Sequence, residues 1–421
     1  MAVTSPVAAT PATRTGEPVA ASERIQTVDI LRGFALLGIL LVNMAFFKSV
    51  GFYAAFGSAP TATGGIDQVA RWFIQLFAEG KFYTLFSFLF GFGFAIQMLR
   101  AEARGERFGP RYTRRLLVLL VVGIGHSVLL WYGDILKSYA LIGFVLLLFR
   151  NRAPRTLLIW AGACLFAVTI ITVGFLGLAM VADGTFATTP QGNDPTTAWF
   201  QSLDERATEA YRDGTFAQLM QQRLIDNAFA LVSFIFSVPS ILAMFLLGLY
   251  AGRRGIFQDV AAHTTLLRRV MVWGLVLGLL LNGAYVWGTA ASSPTETTGM
   301  DLLSVLGQTL GGPVLSLGYA AAITLLVQRG NWRRRLAPIA AVGRMALSNY
   351  LFQSIVCTTI FYSYGFGLFG QVGAAAGMLL SLVIYALQIP LSVWWMRRFR
   401  FGPAEWVWRS LTYGRRQPIR V

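Results

Sequence analysis

The sequence predicts an all-α, polytopic membrane protein of about ten transmembrane helices with both termini in the cytoplasm. Three observations predict it: charge is scarce, apolar runs recur at membrane-spanning length, and arginines collect in every second connection. Charged residues make up 13% of the chain and hydrophobic residues 55%, where a soluble domain carries about 25% charge. Mean hydropathy is +0.59. So few charges cannot clothe a surface in water, whereas a surface facing lipid needs none.

A crossing helix needs roughly 20 apolar residues. Ten segments come close: 31–47, 81–99, 115–133, 135–150, 156–181, 229–251, 270–288, 303–327, 345–363 and 371–396. The third and fourth are joined by almost no loop, around Asp134. Residues 66–80, with Ile66, Val69, Trp72, Phe73, Leu76 and Phe77 at helical spacing, read as an amphipathic helix lying on the outer face, and part of 199–226 reads the same way. Residues 1–23 have no periodicity and read as a disordered cytoplasmic tail. A cleaved signal peptide is not expected, because the first apolar run begins only after Asp29. The remaining chain divides into helices of 24–181, an external loop of 182–228, helices of 229–396 and a basic cytoplasmic tail of 397–421.

Charge sets the orientation. Six arginines lie between Arg100 and Arg115, then Arg150, Arg152 and Arg155, then Arg253, Arg254, Arg268 and Arg269, then Arg329, Arg333, Arg334, Arg335 and Arg344, and seven more after Met396. The intervening loops are poor in arginine or acidic: 182–228 holds seven carboxylates, and 289–302 holds only Glu296 and Asp301. The positive-inside rule places the arginine-rich connections and both ends in the cytoplasm of a bacterial inner membrane. The net charge of +16 is therefore a topology signal, with membrane lipids and not nucleic acid as the partner. Cys164 and Cys357 each sit in an apolar run, so no disulfide or thiolate site follows. With no zinc spacing, phosphate-binding loop or G-x-S-x-G elbow, no metal is expected.

Few polar residues lie inside the spans. Asp29 and Arg32 share one face of the first helix, with Asn43 eleven residues beyond Arg32; an anchoring pair and a binding pair are both open readings. His126 lies eleven residues past Arg115, roughly 16 Å along a helix, at a depth where an ionisable group is costly. It is either a neutral histidine bonded across a helix interface or a general base. Asp134 is eight residues from His126, too far along one helix for contact, so a carboxylate partner would have to be Asp29 or come from another helix. Asp134 and Lys137 are expected to pair with each other. Asn349, Tyr350 and Gln353 form a polar stripe in the ninth span, fitting interhelical bonds or a ligand pocket. Gly91 and Gly93 read as packing notches.

Asp29 to Gly33 with Val42 and Asn43, Phe86 to Gly93, Gly125 and His126, Gly133 to Leu136 with Tyr139 and Ala140, Gly343 to Leu351, and Gly402, Pro403, Glu405, Trp406, Trp408 and Arg409 together resemble the YeiB-type bacterial membrane proteins. The resemblance covers almost the whole chain after residue 23. That family is grouped by likeness with transmembrane acyltransferases, including the heparan glucosaminide acetyltransferase, which carry an acyl group from cytoplasmic acyl-coenzyme A to an acceptor on the far side. In the sugar-modifying relatives a histidine follows the basic residue of the first helix at the position of Asn43. Asparagine is no base near neutral pH, which moves the expectation to His126.

The resemblance implies an acyltransferase with His126, Asp29 and Asp134 as catalytic groups and Arg32 on a phosphate of acyl-coenzyme A. Asn43, Lys137, Asn349 and Gln353 would meet the acceptor, an unidentified hydroxyl or amine. Oligomers are compatible with this reading. The alternative is a transporter whose intramembrane polar groups bind a solute without covalent chemistry.

Overall fold

The computed structural model describes residues 25–50, 64–186, 195–292 and 298–420; the expected tail of 1–23 lies outside the described residues. The helices in chain order are α1 (Gln26–Lys48), α2 (Ile66–Phe77), α3 (Lys81–Ala103), α4 (Phe108–Leu129), α5 (Leu136–Leu148), α6 (Pro154–Phe186), α7 (Pro195–Arg212) and α8 (Phe216–Arg253). They continue as α9 (Thr264–Ala291), α10 (Gly299–Val327), α11 (Gly330–Arg335), α12 (Ala337–Arg344), α13 (Ala346–Phe361), α14 (Ala374–Arg398) and α15 (Pro403–Tyr413). The only β-pairing among the described residues is one isolated bridge, Phe399 to Arg420.

Eight of the described helical stretches are long and apolar enough to cross a membrane. The two remaining apolar segments form the shorter α5 and α13, of 13 and 16 residues. At 1.5 Å per residue these reach only about 20 and 24 Å, short of a ~30 Å hydrocarbon core. Other helices leave broad apolar faces exposed: Ile159 and Phe166 on α6, Leu280 and Trp287 on α9, Leu379 and Leu387 on α14. Faces of this extent suit lipid and not water. The chain is an all-α, multi-pass membrane protein. On α2, Ile66, Val69, Trp72 and Phe73 are exposed and only Ala70 is buried. Both ends of the expected external loop fall in helices: α6 runs on to Phe186 and α8 begins at Phe216. Thr215 and Gln218 form a capping box there, which starts the helix ahead of its apolar run.

Close backbone crossings hold the bundle together. A side chain at Gly343 would place its Cβ 1.9 Å from the carbonyl oxygen of Asp29, so α12 and α1 touch backbone to backbone. This crossing brings the start of α1, with Arg32, beside Arg344 at the end of α12. Gly91 meets the Phe245 carbonyl in the same way and locks α3 against α8. Gly93, one side of the notch expected from sequence, instead faces the Arg32 guanidinium.

Candidate functional site

The site begins where α4 stops. After Leu129 the chain leaves the helix, and the amides of Leu130 and Trp131 both donate to the His126 carbonyl. The carbonyls this break exposes need other donors. Arg223 Nη1 donates to Val128 O at 3.1 Å and Leu129 O at 2.6 Å, and Asn227 Nδ2 donates to Ser127 O at 2.8 Å. A cation at a helix C-terminus also complements its dipole. Buried Trp131 stacks on Phe47 with ring centroids 4.0 Å apart and pins the turn. Five residues after Trp131 α5 starts, and Asp134 caps its first turn by accepting the Lys137 amide on Oδ1 at 2.8 Å. Gly123 makes this possible, since a Cβ there would lie 2.4 Å from that amide nitrogen.

The reversal corrects the expectation that Asp134 is out of reach of His126. That expectation assumed a continuous helix; the chain instead folds back, and Asp134 Oδ2 lies 2.8 Å from His126 Nδ1. Neither group is accessible to solvent to any useful extent. On the other side of the ring, His126 Nε2 lies 2.8 Å from Ser354 Oγ on α13. A carboxylate on Nδ1 fixes the Nδ1–H tautomer, which leaves the Nε2 lone pair to accept the Ser354 hydroxyl. Asp134, His126 and Ser354 thus form a buried line of carboxylate, imidazole and hydroxyl. Lys137 does not pair with Asp134 through its ammonium, which donates to Asn227 Oδ1 at 2.7 Å.

A cavity of about 280 Å³ approaches this relay from the arginine-rich end. Its mouth carries Arg32, Arg100, Arg115, Arg344 and Arg409; its depth is lined by Leu36, Phe86, Phe90, Leu136, Tyr139, Ile135 and Tyr350. Arg32 donates to Asp29 at 3.0 Å. Arg115 stacks over Trp408 at 3.7 Å, but among the described residues its Nε has no hydrogen-bond partner, and the Nε of Arg344 has none either. A guanidinium with a free N–H beside a cavity is a ready donor for an anion, and its forked geometry suits phosphate. Glu405, also on the wall, is committed to structure. It accepts the amides of Leu347 and Ser348 and the Ser348 hydroxyl, and so caps α13. Burial pushes its carboxyl up from the ordinary glutamate range, against the pull of those donors. At the deep end, the Tyr350 ring lies 5.1 Å from the His126 ring, and its buried hydroxyl makes no well-formed hydrogen bond.

The other sequence candidates stand apart from this line. Asp29 binds Arg32 at the mouth and does not reach His126, whose two nitrogens are taken. Asn43, half-buried on α1, is not on the cavity wall. Asn349 donates to Ser392 Oγ at 3.0 Å and Gln353 to Gln388 Oε1 at 2.8 Å, which ties α13 to α14; of the stripe only Tyr350 faces the cavity. Sequence reasoning included Tyr350 in the polar stripe but missed Ser354, Arg115 and Arg344. Ser354 is four residues beyond Tyr350 and so on the same helix face, a spacing that could have drawn it in.

The profile described as "Protein of unknown function (DUF418)" matches residues 251–415. The uncharacterised protein YxaH of Bacillus subtilis (strain 168) is 37% identical over 423 aligned residues, covering 96% of this chain and 98% of its own length. An uncharacterised 39.9 kDa protein encoded in the amylase 3′ region of Bacillus acidopullulyticus is 32% identical, over 96% of this chain and 98% of its own. The uncharacterised protein YeiB of Escherichia coli (strain K12) is 30% identical, over 93% and 96%. No solved structure matches the chain. Relatedness at this level along nearly the full length of each protein means that the chain belongs to the YeiB-type family of bacterial proteins.

Proposed function

We propose that the protein is an acyltransferase of the bacterial inner membrane, moving an acyl group from cytoplasmic acyl-coenzyme A to a hydroxyl or amine acceptor at the membrane or its outer face. The observation that carries this reading is the cavity that joins an arginine cluster, in which Arg115 and Arg344 each keep an Nε without a partner among the described residues, to a tyrosine in contact with His126 at its depth. The arginines would hold the phosphates of the donor, with Asp29 orienting Arg32, while the aromatic interior takes the pantetheine arm and the acyl chain. From Arg115 to His126 is roughly 16 Å along α4, a depth an extended arm can bridge. At that depth Asp134 keeps His126 in the tautomer that can accept a proton, the role general-base catalysis asks of it. Water is excluded, and donor and acceptor are held together.

A passage for an unrelated solute needs cationic groups and polar walls, but not an imidazole held between a carboxylate and a hydroxyl. The test is thioester turnover. Purified protein given acetyl-coenzyme A should release free coenzyme A thiol, and His126→Ala should abolish release while coenzyme A binding is kept. Absence of coenzyme A binding at millimolar ligand sinks the reading, and solute transport takes its place.

A further inference from the structure

Among the described residues, His126 Nε2 has one hydroxyl within hydrogen-bond reach, that of Ser354. We infer that Ser354 is the acyl-accepting nucleophile, so that transfer runs in two steps through an acyl-serine; this rests on the acyltransferase reading. The geometry separates Ser354 from an ordinary membrane serine. Such a residue satisfies its hydroxyl on the carbonyl one turn back, as Ser381 does at 2.9 Å. Ser354 lies 3.4 Å from that carbonyl, on Tyr350, and 2.8 Å from His126 Nε2. Its proton therefore points at the imidazole, and Asp134 at 2.8 Å holds the far nitrogen. An acceptor activated directly by His126 would first have to evict this serine. Tyr350 is one turn before Ser354 and lines the cavity, so the thioester reaches Oγ when that ring turns aside.

In the first step Ser354 Oγ attacks the thioester carbonyl carbon as its proton passes to His126 Nε2. The C–S bond then breaks, and His126 returns the proton to the departing thiolate, leaving coenzyme A thiol and a serine ester. In the second step the acceptor hydroxyl or amine gives its proton to Nε2 while attacking the ester carbon. Ser354 Oγ leaves and takes that proton back. Imidazole activation of a serine, with a carboxylate on the other ring nitrogen, is the established logic of serine acyl transfer.

The experiment mixes wild-type protein with acetyl-coenzyme A and no acceptor, follows thiol release on the millisecond scale, quenches in acid and weighs the peptide containing Ser354. The expected result is a burst of about one thiol per protein and an acetyl group on Ser354, with both lost in Ser354→Ala and His126→Ala proteins that still bind coenzyme A. Turnover by the wild type with neither burst nor label overturns the acyl-serine and leaves the acyltransferase reading standing. If coenzyme A does not bind, that reading falls by itself. A fluorophosphonate then decides the serine: its phosphorus takes Ser354 Oγ with loss of fluoride if the serine is activated. Labelling that depends on His126 upholds the nucleophile, and no labelling removes it.

Discussion

Arg344→Ala separates binding from folding more cleanly than any other substitution at the cavity. Arg344 lines the mouth with its Nε unpaired among the described residues, so truncation breaks no side-chain hydrogen bond seen among them. If the guanidinium meets a phosphate, its loss removes a charge-assisted interaction of about 1.5–3 kcal/mol, which weakens coenzyme A roughly 10- to 150-fold. The melting temperature without ligand should stay level or rise slightly, since Arg32, Arg100, Arg115 and Arg409 line the same mouth and one like charge is gone. Arg32→Ala should also weaken binding, but with a fall in stability, because it leaves Asp29 without its 3.0 Å partner. Calorimetry with coenzyme A and a thermal melt on the same preparation supply both numbers. An Arg344→Ala protein that binds coenzyme A within about twofold of wild type refutes the assignment of the mouth to phosphate.

Three further outcomes follow. Gly343→Ala should cost about 3 kcal/mol or more and lower the yield of folded protein, since its Cβ would fall 1.9 Å from the Asp29 carbonyl; a melt unchanged from wild type contradicts the α1–α12 crossing. Glu405 has a raised folded-state pKa, so its contribution is fully present below the ordinary glutamate range and declines as pH rises through the folded value. The stability difference between wild type and Glu405→Gln should therefore shrink with rising pH, and a difference that grows reverses the sign of the argument. Single cysteines at Ser202 and Arg416, in a protein lacking Cys164 and Cys357, should react and not react with an impermeant thiol reagent in intact cells. The opposite pattern inverts the topology.

The helices were legible because burial in lipid leaves a coarse signal: every apolar run long enough to cross corresponds to a helix. The site was legible only in part. His126 stood out as an ionisable group within an apolar run and is buried, and Asp29 with Arg32 stood out as an i, i+3 pair and the two are bonded. The His126–Asp134 contact was not legible, because a helical ruler was laid across a helix break. Asp134 is a helix-capping residue, and read as a cap it would have announced the turn that brings it back. Ser354 and Arg344 were hidden for another reason. A serine inside a span is ordinary, and an arginine near the cytoplasmic boundary is expected from topology alone; only the contact of Ser354 with His126, and an Arg344 Nε without a partner among the described residues, set them apart. Asn349 and Gln353 carried the same polar signal as Tyr350, yet they point to α14.

The most direct test of the account is a cryo-EM structure of the protein with a non-reactive acyl-coenzyme A thioether. The account predicts density running from phosphates at Arg115 and Arg344, along the aromatic cavity, to an acyl carbon beside Tyr350 and the His126–Ser354 pair. Analogue bound elsewhere, or a cavity filled by a lipid chain that saturating analogue fails to displace, would contradict it.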